Sequence, residues 1–237
     1  MNVLRCPQLV LAGSLALASL LACAQRVPAA VPTWSPVLEL DSLATLPARF
    51  ARPFREPVDL VRGEARSSAG NCPALLAARA QGASPADDRD LAIERDEGAR
   101  CIALEQLSHA RGAPAGSLAG FELRTAKAAQ LPPTLAVPFG KRDDARAQAA
   151  EARGQTLRDY LPDVVVQAGE GALVLKGDTW ETRVEVLARG DFDGGGREEL
   201  LLAAHDKATE GTFESTRLLL VARRGNGGAL TTLKRLQ

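Results

Sequence analysis

The chain of 237 residues is predicted to have an α+β fold. Helix-forming stretches precede a C-terminal third in which apolar and polar residues alternate, the pattern of half-buried strands. Clusters of turn residues separate the strand-like runs, and two cysteines lie among the helical stretches. Together these features predict, in chain order, a signal and tether, a disulfide-linked helical hairpin and an antiparallel β-meander of about six strands.

Residues 1–22 have the pattern of a secretory signal peptide. A single basic residue, Arg5, precedes an apolar run from Leu9 to Leu21, and the small residue Ala22 follows. The run is too short for an ordinary membrane-spanning helix, which needs about 20 apolar residues. We therefore expect the chain to be exported.

The segment Leu20-Leu21-Ala22-Cys23 resembles a bacterial lipobox. The resemblance implies that Cys23 is acylated, becomes the mature N-terminus and anchors the protein to a membrane. Ala24, rather than Asp, follows the cysteine, which favours the outer membrane, with the protein facing the periplasm. A cut after Ala24 is the alternative, because Ala22-Cys23-Ala24 also fits an A-x-A signal, and it predicts a soluble periplasmic or secreted protein.

Residues 23–70 are predicted to be a lipid anchor followed by a proline-rich tether. Proline interrupts helices, and a spacer would hold a folded domain clear of a membrane surface. One short element is expected over Leu38–Leu46. The prolines are Pro28, Pro32, Pro36, Pro47, Pro53 and Pro57.

Residues 71–160 are predicted to be mainly helical. Asn71 is a suitable cap for a first helix, which Gly82 would end. Ser84 is the expected cap of a second helix with Pro85 at its first position, and Gly98 is an expected break. Further on, Ser117–Thr125 is predicted as a strand. Arg142–Arg153 and Thr156–Tyr160 are predicted as helical.

Cys72 and Cys101 are predicted to form a disulfide bond. Cys6 is removed with the signal peptide, and Cys23 is either acylated or removed, so one pair remains in the mature chain. An exported compartment favours oxidation of that pair. The two cysteines lack the C-x-x-C spacing of redox enzymes, so we expect a structural bridge between the two predicted helices.

From residue 161 onward the sequence predicts an antiparallel sheet with helices on one face. Turn residues separate the strands, and Asn226-Gly227 is a strong two-residue hairpin signal. The predicted strands are Val164–Gln167, Ala172–Lys176, Trp180–Arg189, Glu199–His205, Ser215–Arg223 and Ala229–Leu236.

The run from Gly190 to Leu200 reads GDFDGGGREEL and is the most specific internal motif. It resembles the loop of FG-GAP/VCBS-type repeats, which has the pattern G-D-F-D-G-D-G-x-x-D-L between two strands. The resemblance implies that Asp191, Asp193 and Glu199 are calcium ligands, since calcium prefers several oxygen ligands on a tight turn. The repeat is degenerate, because Gly195 stands where the family usually has a third Asp. The site is therefore expected to be weakened or dead. A glycine-rich turn without metal is the first expectation, and a weak calcium site is the alternative. A single copy does not predict a propeller.

Other features of the sequence point away from catalysis and nucleic-acid binding. The chain has 29 basic and 29 acidic residues, so no basic excess favours nucleic acid. Its two histidines, His109 and His205, lack metal-ligand neighbours at helical spacing, and no nucleophile elbow is present. Apart from calcium, no cofactor is expected.

We therefore expect a non-enzymatic envelope protein that binds an envelope protein or a cell-wall component. Two alternatives remain: an envelope hydrolase with a carboxylate-based site, and a purely structural periplasmic protein.

Overall fold

The computed structural model describes residues 29–114, 116, 118–225 and 228–236. The predicted signal peptide, Cys23 and the Asn226-Gly227 turn lie outside these residues. Among the helices that are described, none has the length and apolar character needed to cross a membrane.

The described residues form twelve strands and five α-helices. The helices are α1 (Leu46–Ala51), α2 (Cys72–Ala80), α3 (Asp88–His109), α4 (Lys141–Ala152) and α5 (Leu157–Tyr160). The strands are β1 (Ala29–Ala30), β2 (Thr33–Trp34), β3 (Val58–Arg62), β4 (Ala65–Ala69), β5 (Ser84–Pro85), β6 (Ala113–Pro114), β7 (Val165–Ala168), β8 (Leu173–Lys176), β9 (Trp180–Gly190), β10 (Glu199–Ala208), β11 (Glu214–Arg223) and β12 (Leu230–Leu236).

The prediction of six C-terminal antiparallel strands is confirmed. These strands lie side by side in the order β12-β11-β10-β9-β8-β7, each antiparallel to its neighbours. The short β2 adds a seventh strand by pairing with the end of β9, where Thr33 lies opposite Arg189. The β9–β10 register places Gly190 opposite Glu199, so the two ends of the intervening loop are held together.

The prediction that helices cover one face of this sheet is incomplete, because both faces are covered. Leu200 and Leu202 of β10 pack in one core cluster with the segment that contains Leu131, Leu135 and Leu157. The alternate residue Leu201 packs in a second cluster on the other face, with α3 and the N-terminal region. The unbroken apolar run at the start of β10 is typical of a strand that is buried on both sides.

Much of the predicted tether is folded, and a spacer is wrong for residues 33–69. Leu38, Leu46, Val58 and Leu60 are buried in the second core cluster, and β3 pairs with β4. The prolines did not prevent helix formation because two of them occupy first turns. Pro36 begins a 3-10 helix (Pro36–Leu38), and α1 also has proline in its first turn, where no backbone N–H is required.

The predicted disulfide bond between Cys72 and Cys101 is present, with a Cα–Cα distance of 5.1 Å. It joins the first residue of α2 to the middle of α3. As predicted, Asn71 caps α2, since its Oδ1 accepts a hydrogen bond from the Ala74 N–H at 3.0 Å.

Two predictions about the second helix are wrong. Asp87, not Ser84, caps α3, because its Oδ1 accepts a hydrogen bond from the Asp90 N–H, whereas Ser84 lies in β5 and pairs with β3. Gly98 does not break the helix. A Cβ placed there would lie 2.8 Å from Arg79 Nη1, so this glycine leaves room for the Arg79 side chain, which forms an ion pair with Glu94.

The predicted strand Ser117–Thr125 is also wrong. Gly120 turns the chain with a φ of 68°, and Leu123–Thr125 is a 3-10 helix. Ser117 itself lies outside the described residues. The apolar residues Leu118, Phe121 and Leu123 that suggested a strand are buried under the sheet from successive turns. The helices predicted next are present as α4 and α5, and Thr156 caps α5.

Candidate metal centre

The loop between β9 and β10 brings together the three acidic residues that the motif predicts. Gly194 and Gly196 have φ values of 76° and 72°, a left-handed conformation that glycine adopts without strain. One carboxylate oxygen from each of Asp191, Asp193 and Glu199 lies within 4.8 Å of the other two. We call these three residues the carboxylate cluster.

Backbone N–H groups of the loop occupy part of the cluster's hydrogen-bonding capacity. Glu199 Oε2 accepts from the Phe192 N–H at 2.9 Å and from the Asp193 N–H at 3.2 Å. Asp191 Oδ2 accepts from the Gly196 N–H at 3.0 Å. These bonds alone would suit a glycine-rich turn without metal, so they do not distinguish the two expectations from the sequence.

Two further oxygens of the carboxylate cluster are buried without a partner. Asp191 is 4% exposed and Glu199 is 0% exposed. Asp191 Oδ1 and Glu199 Oε1 are buried and have no hydrogen-bond partner within the described part of the chain. A buried carboxylate oxygen left without a partner costs free energy, and such groups are rare in native proteins. Two of them in one loop match the ligands that a cation requires.

The electrostatics of the cluster also favour a cation. Burial, with a smaller contribution from the nearby charge of Asp193, raises the pKa of Glu199 to about 7, against the hydrogen bonds from the Phe192 and Asp193 N–H groups. The nearest basic group, Arg197, lies 4.0 Å from Asp193 at an exposed position, where screening by water is strong.

Gly195 explains how the degenerate motif still closes its loop. Its N–H donates to Asp193 Oδ1 at 2.6 Å, and a Cβ placed on Gly195 would lie 2.6 Å from the same oxygen. The Asp193 side chain therefore folds back over the position where the repeat family has its third carboxylate. The chain supplies three carboxylates, which form part of the six to eight oxygens that calcium binds.

The carboxylate cluster is attached to the N-terminal half of the fold through main-chain contacts. Asp191 and Arg111 exchange two backbone hydrogen bonds, of 2.9 and 3.0 Å. Gly190 lies against Pro32, because a Cβ placed on Gly190 would be 3.3 Å from Pro32 Cβ. Nothing in the local sequence pattern around Arg111 predicts this bridge, which depends on tertiary structure.

The other polar residues considered in the sequence do not form a second site. His109 is the last residue of α3 and is exposed. His205 is exposed on β10, with Nδ1 3.1 Å from Thr216 Oγ1, whereas Asp206 is buried on the opposite face, as strand alternation predicts. Asp206 forms an ion pair with Arg217 of β11, which lies two residues beyond Ser215, the residue directly opposite Asp206. The sequence pattern did not predict this pair.

A scan against protein-family models, a search of curated proteins and a search of solved structures each returned no match.

Proposed function

We propose that this protein is an exported, lipid-anchored envelope protein with a non-enzymatic binding or assembly role, and that its carboxylate cluster holds a calcium ion. The observation that carries the calcium proposal is the pair of buried oxygens without partners, Asp191 Oδ1 and Glu199 Oε1. They lie in the one group of three possible metal-ligating residues found in the described part of the chain.

Calcium suits the cluster better than other common ions. Carboxylate oxygens are hard ligands. Calcium and magnesium prefer such ligands, whereas zinc favours nitrogen and sulfur. Magnesium requires near-ideal octahedral geometry, whereas calcium accepts the irregular set that a single loop offers. Bound calcium would supply the positive charge that the buried carboxylates lack, and Asp191, Asp193 and Glu199 would hold it.

The loop's position favours a structural role for this ion. Asp191 directly follows β9, and Glu199 is the first residue of β10. An ion held by both would therefore fix the loop at the ends of these two neighbouring strands. Calcium that fixes a surface loop suits a protein that presents that surface to a partner. The partner classes we propose are an envelope protein or a cell-wall component.

Export is supported by the disulfide bond and by the N-terminal sequence pattern. A buried disulfide indicates an oxidising compartment, such as the bacterial periplasm. Anchoring through Cys23 rests on the lipobox resemblance. Mass spectrometry of the mature N-terminus tests it directly, since acylation of Cys23 would support the anchor and an unmodified N-terminus at Gln25 would contradict it.

Thermal unfolding with calcium or with EDTA tests the metal proposal. At about a hundredfold excess over its dissociation constant, calcium adds about 2.7 kcal/mol and would raise Tm by roughly 5–10 °C. The shift should disappear in Asp191→Asn and Glu199→Gln.

The matched control is Asp178→Asn, which changes an exposed carboxylate in the turn at the opposite end of β9. It should keep the full calcium shift. Equal Tm values with calcium and EDTA in the unmodified chain would contradict the proposal.

A hydrolase is the second candidate, and one observation favours it. A carboxyl group with a pKa of about 7 could act as a general acid, and Glu199 has such a pKa. Its side chain is fully buried, however, which is unsuited to contact with a substrate. Turnover of cell-wall fragments that Glu199→Gln abolishes would support the hydrolase and contradict the binding role.

A further inference from the structure

A second cluster of charged side chains surrounds a cavity of about 180 Å³ between α1 and α3. Four arginines and two glutamates line it, so positive charge exceeds negative charge by two. We call it the arginine cavity. Its charged lining residues are Arg49, Arg52, Arg55, Arg100, Glu39 and Glu97.

Arg49 is the most buried of these arginines, with a side chain that is 11% exposed. Its Nε donates to the Leu38 carbonyl at 3.2 Å. Its Nη2 lies 2.9 Å from Glu39 Oε2, in an ion pair whose direction does not suit a hydrogen bond. The most buried cation of the cavity wall is therefore paired with an exposed carboxylate through a poorly directed contact.

The positive charges in the cavity are close enough to affect one another. Burial lowers the pKa of Arg49, and the charges of Arg100 and Arg52 lower it further, while Glu39 opposes them. The fold forces these cations together, because α1 and α3 are packed against each other and the disulfide bond fixes Cys101, next to Arg100.

Glu39 partly neutralises the cavity from the end of the 3-10 helix Pro36–Leu38. Among the described residues it is the only one other than glycine with a positive φ, 50°. This left-handed conformation ends the helix, and the Glu39 N–H donates to the Pro36 carbonyl. Glu39 Oε2 lies near both Arg49 and Arg52, yet the Glu39 side chain is 58% exposed and free to turn away.

We propose that the arginine cavity binds a phosphate group, which displaces the Glu39 carboxylate from Arg49 and Arg52. The planar guanidinium group matches phosphate oxygens with paired N–H donors. A phosphate would give Arg49 Nη2 a well-directed acceptor and neutralise the excess charge. The phosphate belongs either to a soluble phosphate compound or to a lipid headgroup.

Isothermal titration of the intact chain with inorganic phosphate at constant ionic strength tests this site. The double variant Arg52→Gln/Arg55→Gln removes two exposed arginines and should weaken binding by about tenfold or more. The charge-matched control, Arg66→Gln/Arg124→Gln, changes exposed arginines elsewhere and should stay within about twofold of the unmodified chain.

Glu39→Gln separates a built site from general attraction of anions. Because it removes the internal competitor, it should bind phosphate several-fold more tightly than the unmodified chain. Absence of saturable phosphate binding, equal weakening in both double variants, or unchanged affinity in Glu39→Gln would each overturn the proposal.

Vesicles identify the source of the phosphate. Binding to phosphatidylglycerol vesicles but not to phosphatidylcholine vesicles, lost in Arg52→Gln/Arg55→Gln, would assign the site to an anionic headgroup. Binding of inorganic phosphate without vesicle binding would assign it to a soluble phosphate compound. The calcium site plays no part in either result, so this proposal stands or fails independently of it.

Discussion

The backbone of Asp191 exchanges two hydrogen bonds with the backbone of Arg111, and the Asp191 side chain belongs to the carboxylate cluster. The same residue therefore connects the cluster to the segment that follows α3. That segment includes β6, which pairs with β1 near the N-terminal end of the described chain. Ordering the loop should for this reason stabilise contacts beyond it.

The first prediction concerns this coupling. Calcium should slow amide hydrogen exchange at Arg111 and Asp191, because an ion that binds the folded form raises the free energy of local opening. Hydrogen-exchange mass spectrometry in calcium and in EDTA measures the effect, and Asp191→Asn should abolish it. If calcium binds without changing exchange at these two residues, the coupling is wrong although the site remains.

The second prediction restores the residue that the motif lacks. Gly195→Asp adds a third aspartate to the loop, after the Asp193 side chain moves away from the new Cβ. Calcium affinity should rise by about tenfold or more, because affinity in such loops depends on the number of charged ligands. Gly195→Asn is the control of equal size without the charge. Equal affinities in the two variants would show that the added carboxylate does not reach the ion.

The third prediction is a pH dependence of the metal-free protein. The pKa of Glu199 is raised from 4.5 to about 7 in the folded chain, so the folded state retains a proton that the unfolded state loses. In EDTA the contribution of Glu199 to stability is therefore full below pH 4.5 and falls as the pH rises toward 7. The slope is at most about 1.4 kcal/mol per pH unit for one proton.

Glu199→Gln should lose this pH dependence, because glutamine resembles the protonated acid and carries no charge. Asp178→Asn should retain it. Urea unfolding at several pH values between 4.5 and 8 measures both, and an identical profile in Glu199→Gln and the unmodified chain would contradict the assignment.

The fourth prediction concerns the buried ion pair in the main sheet. Arg217 Nε and Nη2 donate to Asp206 at 2.5 and 2.8 Å, and Arg217 Nη1 donates to the Thr134 carbonyl at 2.7 Å. Asp206→Ala leaves the arginine without its counter-charge and should cost about 3–5 kcal/mol.

The control for this pair is Lys176→Gln, which breaks the exposed pair with Glu181 and should cost less than about 1 kcal/mol. Urea unfolding of both variants makes the comparison. Similar losses in the two variants would show that Asp206 and Arg217 do not stabilise the fold as their burial indicates.

Local patterns in the sequence predicted the features that depend on near neighbours. The six C-terminal strands follow from alternation and turn residues, and their observed ends lie close to the predicted ones. The carboxylate cluster could be predicted because Asp191, Asp193 and Glu199 belong to one loop between paired strands.

Features set by distant parts of the chain could not be predicted. The N-terminal prolines suggested a tether, because proline usually interrupts helices. Two of them instead lie in the first turns of short helices that are held by packing against α3, which the local sequence does not show. The bridge between Arg111 and Asp191 joins segments far apart in sequence, and so does the arginine cavity. The apolar run in β10, by contrast, is a local pattern that does indicate burial on both faces of the sheet.

Calcium titration of the intact, EDTA-treated chain at pH 8 by isothermal calorimetry is the sharpest test of the calcium site. We expect saturable binding of one calcium ion per chain, retained in excess magnesium and lost in Glu199→Gln. Absence of saturable calcium binding by the unmodified chain, or the same binding in Glu199→Gln, would contradict it.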